Sequence, residues 1–253
     1  MEQRELYYEI YNELHMLIDR CELPSIQTKS KTIERINEII KQCKSKIPCL
    51  YRYSPLDANN IINALNNGTV YLSEASGMND IFEGAPADRN NKEPIQKIRE
   101  FQSGFFLKCF SEDPCNILMW SHYGDSNKGI AIGYDFKRAT EGILKHLYPV
   151  FYSKNRFVSK DIDQLLSNPY FFIKKSTEWQ YEKEWRLIYS GSELKKSASF
   201  YKELDCIREI VFGSRVDHET IQAIKTAFMR KENISFSQIS IDNQSFTLSK
   251  NVI

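Results

Sequence analysis

"GFFLKCFSEDPCNILMWSHYGDSNKGIAIGYDF", residues 104–136, places two strand-like runs on either side of one short helix. "GFFLKCFSE" (104–112) is aromatic-rich and stops at Asp113–Pro114, as a strand does. "PCNILMWSHYG" (114–124) reads as a short helix ending at Gly124, and "KGIAIGYDF" (128–136) is extended again. Strands this short, with no long helix between them, belong to an α+β domain with curved, partly antiparallel sheets. They do not suit a doubly wound parallel fold.

The pattern continues outward. "CLYRY" (49–53), "TVYLS" (69–73), "LYPVFYS" (147–153), "YEKEWRLIYS" (181–190), "IREIVFGS" (207–214), "ISFSQISI" (234–241) and "SFTLSKN" (245–251) read as strands. "SPLDANNIINALNNG" (54–68), most of "DIDQLLSNPYFFIKKSTEW" (161–179) and "DHETIQAIKTAFMRKEN" (217–233) read as helices. In the last of these Asp217 is an N-cap candidate and His218 is solvated. "EASGMNDIFEGAPADRNNKEP" (74–94) is rich in turn formers and predicts a long loop. Ahead of all this, Leu6, Ile10, Leu14, Leu17 and Ile18, then Ile33, Ile36, Ile39 and Ile40, recur at helical spacing. The expected organisation is a helical hairpin over 1–46 followed by one α+β domain over 47–253. The hairpin's apolar stripe should pack on the domain or on a second copy of the chain.

Composition narrows the function classes. Lys plus Arg number 34 and Asp plus Glu 33. That balance carries no general electrostatic signature of nucleic acid or an anionic membrane. No apolar run approaches the roughly 20 residues that span a bilayer. "MEQRELYYEIYNELHML" lacks the features of a signal peptide. The six cysteines include no C-x-x-C pair, so reduced thiols and a cytoplasmic setting are expected, without disulfides. There is no G-x-G-x-x-G, no P-loop and no H-E-x-x-H. Cys109, Cys115 and His122 would need an unusual geometry and a fourth ligand to hold zinc, so no metal is expected.

Three stretches could build one site. On a "LYRYS" strand Tyr51 and Tyr53 point one way and Arg52 the other. Arg52 is then either a surface arginine or a rigid fork for phosphate or carboxylate. In the opening run, a buried Phe110 leaves Ser111 on the other surface. Trp120, His122 and Tyr123 offer flat faces with polar tips, suited either to a core corner or to a planar ligand. "WQYEKEWRLIYS", as a strand, puts Glu182, Glu184 and Arg186 on one face, as a solvated edge or as a catalytic carboxylate with a helper.

The runs "LYRY", "NGTVYLSEASGMNDIFEG", "CFSEDPCNILMWSHYGDSNKGIAIGYD", "VFYS", "WQYEKEWRLIY" and "IREIVFG" together resemble a bacterial family known as domain of unknown function 2971. The resemblance runs from about Cys49 to about Gly213. Ile81 stands where that family often has proline. The family in turn resembles ADP-ribosyltransferases, which implies a split β-sandwich with NAD in the cleft. By that resemblance Arg52 holds the NAD phosphates, Ser111 is the middle-strand element, and Glu184 is the catalytic carboxylate with Glu182 as helper. Tyr123 and Tyr134 have the spacing of paired tyrosines in one transferase branch. Together with Trp120 and His122 they would line the cofactor wall. The implied activity is cleavage of the nicotinamide–ribose bond with transfer of ADP-ribose to an acceptor of open identity, in the manner of a toxin or phage-defence effector. Two rivals stand beside it. One is a non-catalytic nucleotide-binding regulatory module. The other is a hydrolase using Ser111 or Cys109.

Overall fold

β-branched and aromatic residues concentrate in the central runs, and there the backbone is extended. The computed structural model describes residues 9, 10, 12, 13, 31–56, 68–85, 87, 88, 100–156, 158, 159, 169–194, 201–204, 206–228 and 234–253. In chain order the strands are β1 (Leu50–Ser54), β2 (Thr69–Tyr71), β3 (Ser73–Glu74), β4 (Ala87–Asp88), β5 (Phe105–Ser111), β6 (Ile130–Tyr134), β7 (Leu147–Pro149) and β8 (Phe151–Ser153). They continue as β9 (Val158–Ser159), β10 (Lys174–Ser176), β11 (Glu184–Ser190), β12 (Tyr201–Glu203), β13 (Ile207–Phe212), β14 (Ser235–Ile241) and β15 (Leu248–Val252). The α-helices are α1 (Lys31–Ser45), α2 (Ile117–His122), α3 (Glu141–Leu144) and α4 (His218–Phe228).

Nine strands form one sheet in the order β15-β14-β13-β6-β1-β5-β11-β7, with β3 also beside β5. Among its described pairings β13 with β14 is parallel and the others are antiparallel. The fold is therefore mixed α+β with a mostly antiparallel sheet that does not close into a barrel. Two-residue or three-residue ladders join β8 to β10, β2 to β12 and β4 to β9.

One join in the sheet is weak. β1 pairs with β6 over five residues, and β5 with β11 over seven. β1 and β5 share a single pair, Tyr51 opposite Ser111. The sheet is thus two blocks that meet at one point and part beyond it. Alternation then assigns the faces. Tyr51, Cys109, Ser111, Glu184 and Arg186 lie on one side, and Arg52, Lys108, Phe110 and Trp185 on the other.

The main core joins Leu50, Phe110, Ile132, Tyr134, Trp185 and Leu187 to Ile39, Ile40 and Cys43 of α1 and to Ile221 and Phe228 of α4. So α1 belongs to the same core as the sheet. Ile10 also packs against that core, and Arg35 Nη2 donates to Glu13 Oε1 at 2.7 Å. The rest of the expected first hairpin helix lies outside the described residues, as does the helix expected over 54–68 beyond Leu56. A second cluster, including Tyr51, Tyr53, Met119, Trp120 and Val211, packs α2 onto the other face. Asn116 caps α2, its Oδ1 accepting from Leu118 N and Met119 N. Asp217 likewise accepts from Thr220 N at 2.8 Å at the start of α4, and His218 is exposed. Among the described residues no helix is long and apolar enough to cross a membrane.

Three local expectations are corrected. "TVYLS" and "LYPVFYS" each break into two strands that join different partners. Most of 161–179 is not α-helical where described: it is a 3-10 turn (Pro169–Ile173), β10, and a second 3-10 turn (Thr177–Glu182). "YEKEWRLIYS" is extended only from Glu184, because Lys183 adopts a left-handed conformation at φ 44, ψ 55.

Between α2 and β6 the chain turns through three left-handed residues, Asp125, Ser126 and Asn127 (φ 47, 52 and 69). Such residues each cost of order 1 kcal/mol or more and persist only where neighbours hold them. Gly129 makes this possible: a Cβ there would collide with the Ser54 and Gly124 backbone carbonyls, neither of which can swing away. Gly129→Ala is expected to lower stability by about 2–3 kcal/mol, an overpacking cost, read as a lower urea midpoint. An unchanged midpoint would mean the turn has room to move.

Candidate functional site

Where β1 and β5 part, a cleft of about 540 Å³ opens, and Arg52, Ser111, Tyr123, Glu182 and Glu184 all line it. Its floor is a buried ionic network. Arg186 is 1% exposed, and all five of its N–H donors are used. Nε and Nη2 take the two Glu184 oxygens at 2.8 and 2.9 Å, Nη2 also reaches Glu83 Oε2 at 2.9 Å, and Nη1 donates to Glu83 Oε1 and to the Phe172 carbonyl. Lys175 lies beside this fork. Its Nζ donates to Glu182 Oε2 at 2.6 Å and to Glu184 Oε2 at 3.2 Å, and it sits 4.6 Å from the Trp179 ring centroid.

The local chain explains the pairing of the two glutamates. Glu184 opens β11 opposite Ser111, and Arg186 follows two residues on, opposite Cys109. Glu182 is not on that strand. It ends the 3-10 turn, and left-handed Lys183 redirects the chain so that Glu182 shares the Lys175 ammonium with Glu184. From α2, Tyr123 donates its hydroxyl to Glu182 Oε1 at 2.7 Å and accepts from Asn79 Nδ2 at 2.9 Å. His122 Nδ1 lies 3.1 Å from the Tyr181 hydroxyl.

Three carboxylates, Glu83, Glu182 and Glu184, face two cations, so the floor carries one acidic group more than its cations neutralise. The environment separates the two cleft-lining glutamates. Burial opposes ionisation of Glu184, but Arg186 and then Lys175 outweigh it and hold its carboxyl far below the usual range. Burial and then the Glu184 charge push Glu182 upward, against the pull of Lys175. Two carboxyls pushed in opposite directions can take different roles, one a permanent anion and one a proton carrier. The signs of their pH linkage also differ. Glu184 lends stability above the ordinary carboxylate range and loses it as pH falls through its depressed value. Glu182 favours the fold when protonated and loses that contribution as pH rises through its elevated value. At pH 7, Glu182→Gln is therefore expected to lower the melting temperature much less than Glu184→Gln. Equal drops in thermal scans would contradict the assignment.

Of the residues singled out in the sequence, the cleft brings together Arg52, Ser111, His122, Tyr123, Glu182 and Glu184. Arg52 leaves the opposite face of the sheet from Ser111 and Glu184, and reaches the same cleft only because the strands part there. Two residues are placed elsewhere. Trp120 is fully buried, edge-on to Tyr53 at 5.0 Å, with Nε1 donating to the Pro114 carbonyl at 2.8 Å. Tyr134 is fully buried against Phe110 and Phe136. Both are core residues and neither lines the cleft, so the expectation that they do is corrected; His122 and Tyr123 do line it. Lys175, Glu83 and Asn79 were not legible as site residues. The nearest signal was Arg186 on the Glu184 face, a buried cation that needs a second acid.

Among the described residues neither hydrolase candidate is hydrogen-bonded to a histidine. Ser111 Oγ accepts from Asp113 N at 3.1 Å, and among the described residues no histidine or carboxylate hydrogen-bonds it. Burial and then the Glu184 charge hold the Cys109 thiol well above its ordinary pKa, which disfavours a thiolate. Cys43, Cys49, Cys109, Cys115 and Cys206 are free thiols. Among the described residues no group of three or more His, Cys, Asp or Glu is arranged to hold a metal.

A family model described as protein of unknown function (DUF2971) matches residues 119–187. The matched segment runs from α2 into β11 and includes Tyr123, Lys175, Glu182, Glu184 and Arg186. It is the family that the sequence motifs resemble. No curated protein and no solved structure matches the chain.

Proposed function

We propose that this member of a family without an assigned activity is an ADP-ribosyltransferase-like enzyme: it cleaves the nicotinamide–ribose bond of NAD and passes ADP-ribose to an acceptor. The observation that carries the reading is the glutamate pair, Glu182 and Glu184, sharing one ammonium on the floor of an open cleft at the divide of the sheet.

The chemistry suits that arrangement. When nicotinamide leaves with the glycosidic electron pair, positive charge develops on the ribose, as in glycoside cleavage. A fixed anion beneath the ribose stabilises the transition state more than the ground state, in which the positive charge sits on the nicotinamide ring. Glu184 is that anion, held ionised and immobile by Arg186 and Lys175. Glu182, with its raised proton affinity, takes the proton of the acceptor as the new bond forms. Tyr123 holds Glu182 in place. Arg52, from the other face of the sheet, is the fork for the phosphates.

One observation favours a second reading. Both Glu184 oxygens are already taken by Arg186, and one also by Lys175. A carboxylate so fully engaged also suits a nucleotide-binding module without turnover. Incubation with NAD and detection of free nicotinamide separates the two: release supports the enzyme, and bound NAD without release supports the module.

A further inference from the structure

The same cleft carries a like-charge pair that comes from the other face of the sheet from Glu184. Arg52 of β1 and Lys108 of β5 both line the cavity, and both leave the same face of the sheet where the two strands part. Each is half-buried. Among the described residues no carboxylate forms an ion pair with either. Burial, and then the nearby Arg52 charge, lower the Lys108 ammonium to about 7. Arg52 also acts on the buried Tyr134 hydroxyl, its charge opposing the upward push of burial on that phenol.

Half-buried cations without a counter-charge are costly, because burial removes water without replacing it. On the floor each charged side chain has an oppositely charged partner within hydrogen-bond reach, and among the described residues these two have none. An oxyanion between them would supply the missing charge. Arginine offers a planar fork and lysine a point charge, so together they match an anion with two adjacent charged groups. A single carboxylate would neutralise only one of them.

We infer that Arg52 and Lys108 together form a diphosphate seat, with Lys108 the second anchor beside Arg52. The inference deepens the proposed nucleotide reading and rests on it for the identity of the full ligand. The seat itself stands on the two cations. A dinucleotide laid across the cleft would then have its diphosphate at β1 and β5 and its ribosyl bond over Glu184.

The test is calorimetric titration of the full chain with inorganic pyrophosphate and, separately, orthophosphate. Wild type should bind pyrophosphate more tightly than orthophosphate. Lys108→Met and Arg52→Met should each weaken pyrophosphate binding by about 10-fold or more, the loss of one charge-assisted contact. Lys108→Arg, which keeps the charge, should restore most of it. Circular dichroism confirms that each variant is folded, and Lys108→Gln stands in should Lys108→Met fail. Equal binding by wild type and the neutral Lys108 variant overturns the seat, as does no pyrophosphate binding by wild type or equal affinity for the two anions. Pyrophosphate binding with the expected variant pattern, but no nicotinamide release from NAD, supports the seat and overturns only the proposed reaction.

Discussion

Glu184→Gln is expected to cut nicotinamide release at saturating NAD by about 100-fold or more, the loss of one preorganised electrostatic group worth roughly 3 kcal/mol. Glutamine keeps the size and much of the hydrogen bonding and removes the charge. NAD affinity should change far less, because the ground-state ribose has no developed cation for Glu184 to stabilise. The substitution also disturbs a buried network, so the comparison belongs at a temperature where circular dichroism shows the variant folded. Arg52→Ala should act in the opposite sense and weaken NAD binding first. Equal rates for wild type and Glu184→Gln would remove Glu184 from the mechanism.

Arg186→Met carries the largest expected cost in stability. The guanidinium satisfies two buried carboxylates and a carbonyl at once. Without it, Glu83 and Glu184 face each other, and among the described residues Lys175 is the cation still hydrogen-bonded to Glu184. Removing one side of a buried pair leaves uncompensated charge and costs about 3–5 kcal/mol. Urea denaturation at pH 7 should read that loss directly. Acid should narrow the gap, because protonating the orphaned glutamates relieves their repulsion. A loss under about 1 kcal/mol, in the range of an exposed pair, would mean that water reaches the network and the floor is not the dry site described.

The network also explains how far the site could be seen in advance. Glu184 and Arg186 share a strand face because side chains alternate with period two, and that needs no tertiary information. Glu83 lies 103 residues from Arg186 in the chain, and no local pattern joins them. Lys175 sits in "IKKS", where nothing distinguishes it from its neighbour Lys174 until the fold turns it inward. Glu182 was expected beside Glu184 by alternation. It arrives there instead through the left-handed Lys183, a conformation that lysine does not announce.

The aromatic residues teach the complementary lesson. Trp120, His122 and Tyr123 are close in sequence, and a short helix sends them different ways. Tyr123 reaches Glu182 while Trp120 fills the core against Tyr53. Amphipathic residues suit either setting, and only packing against β1 chooses between them.

By itself the sequence determined the strand–helix–strand run at 104–136, the α+β class, the Asp217 cap on α4, the resemblance to the family whose model matches, and the shared face of Glu184 and Arg186. Each follows from local propensity, from period-two alternation, or from motifs read in order. Tertiary structure alone decided that β1 and β5 meet at one residue pair. It thereby opened the cleft, brought Arg52 and Lys108 into it from the far face, and closed Glu83, Lys175 and Arg186 around the glutamates. Strand register and long-range charge pairing are set by which surfaces must be buried together and which charges must then be compensated. That information is spread over the whole chain and is carried by no single stretch of it.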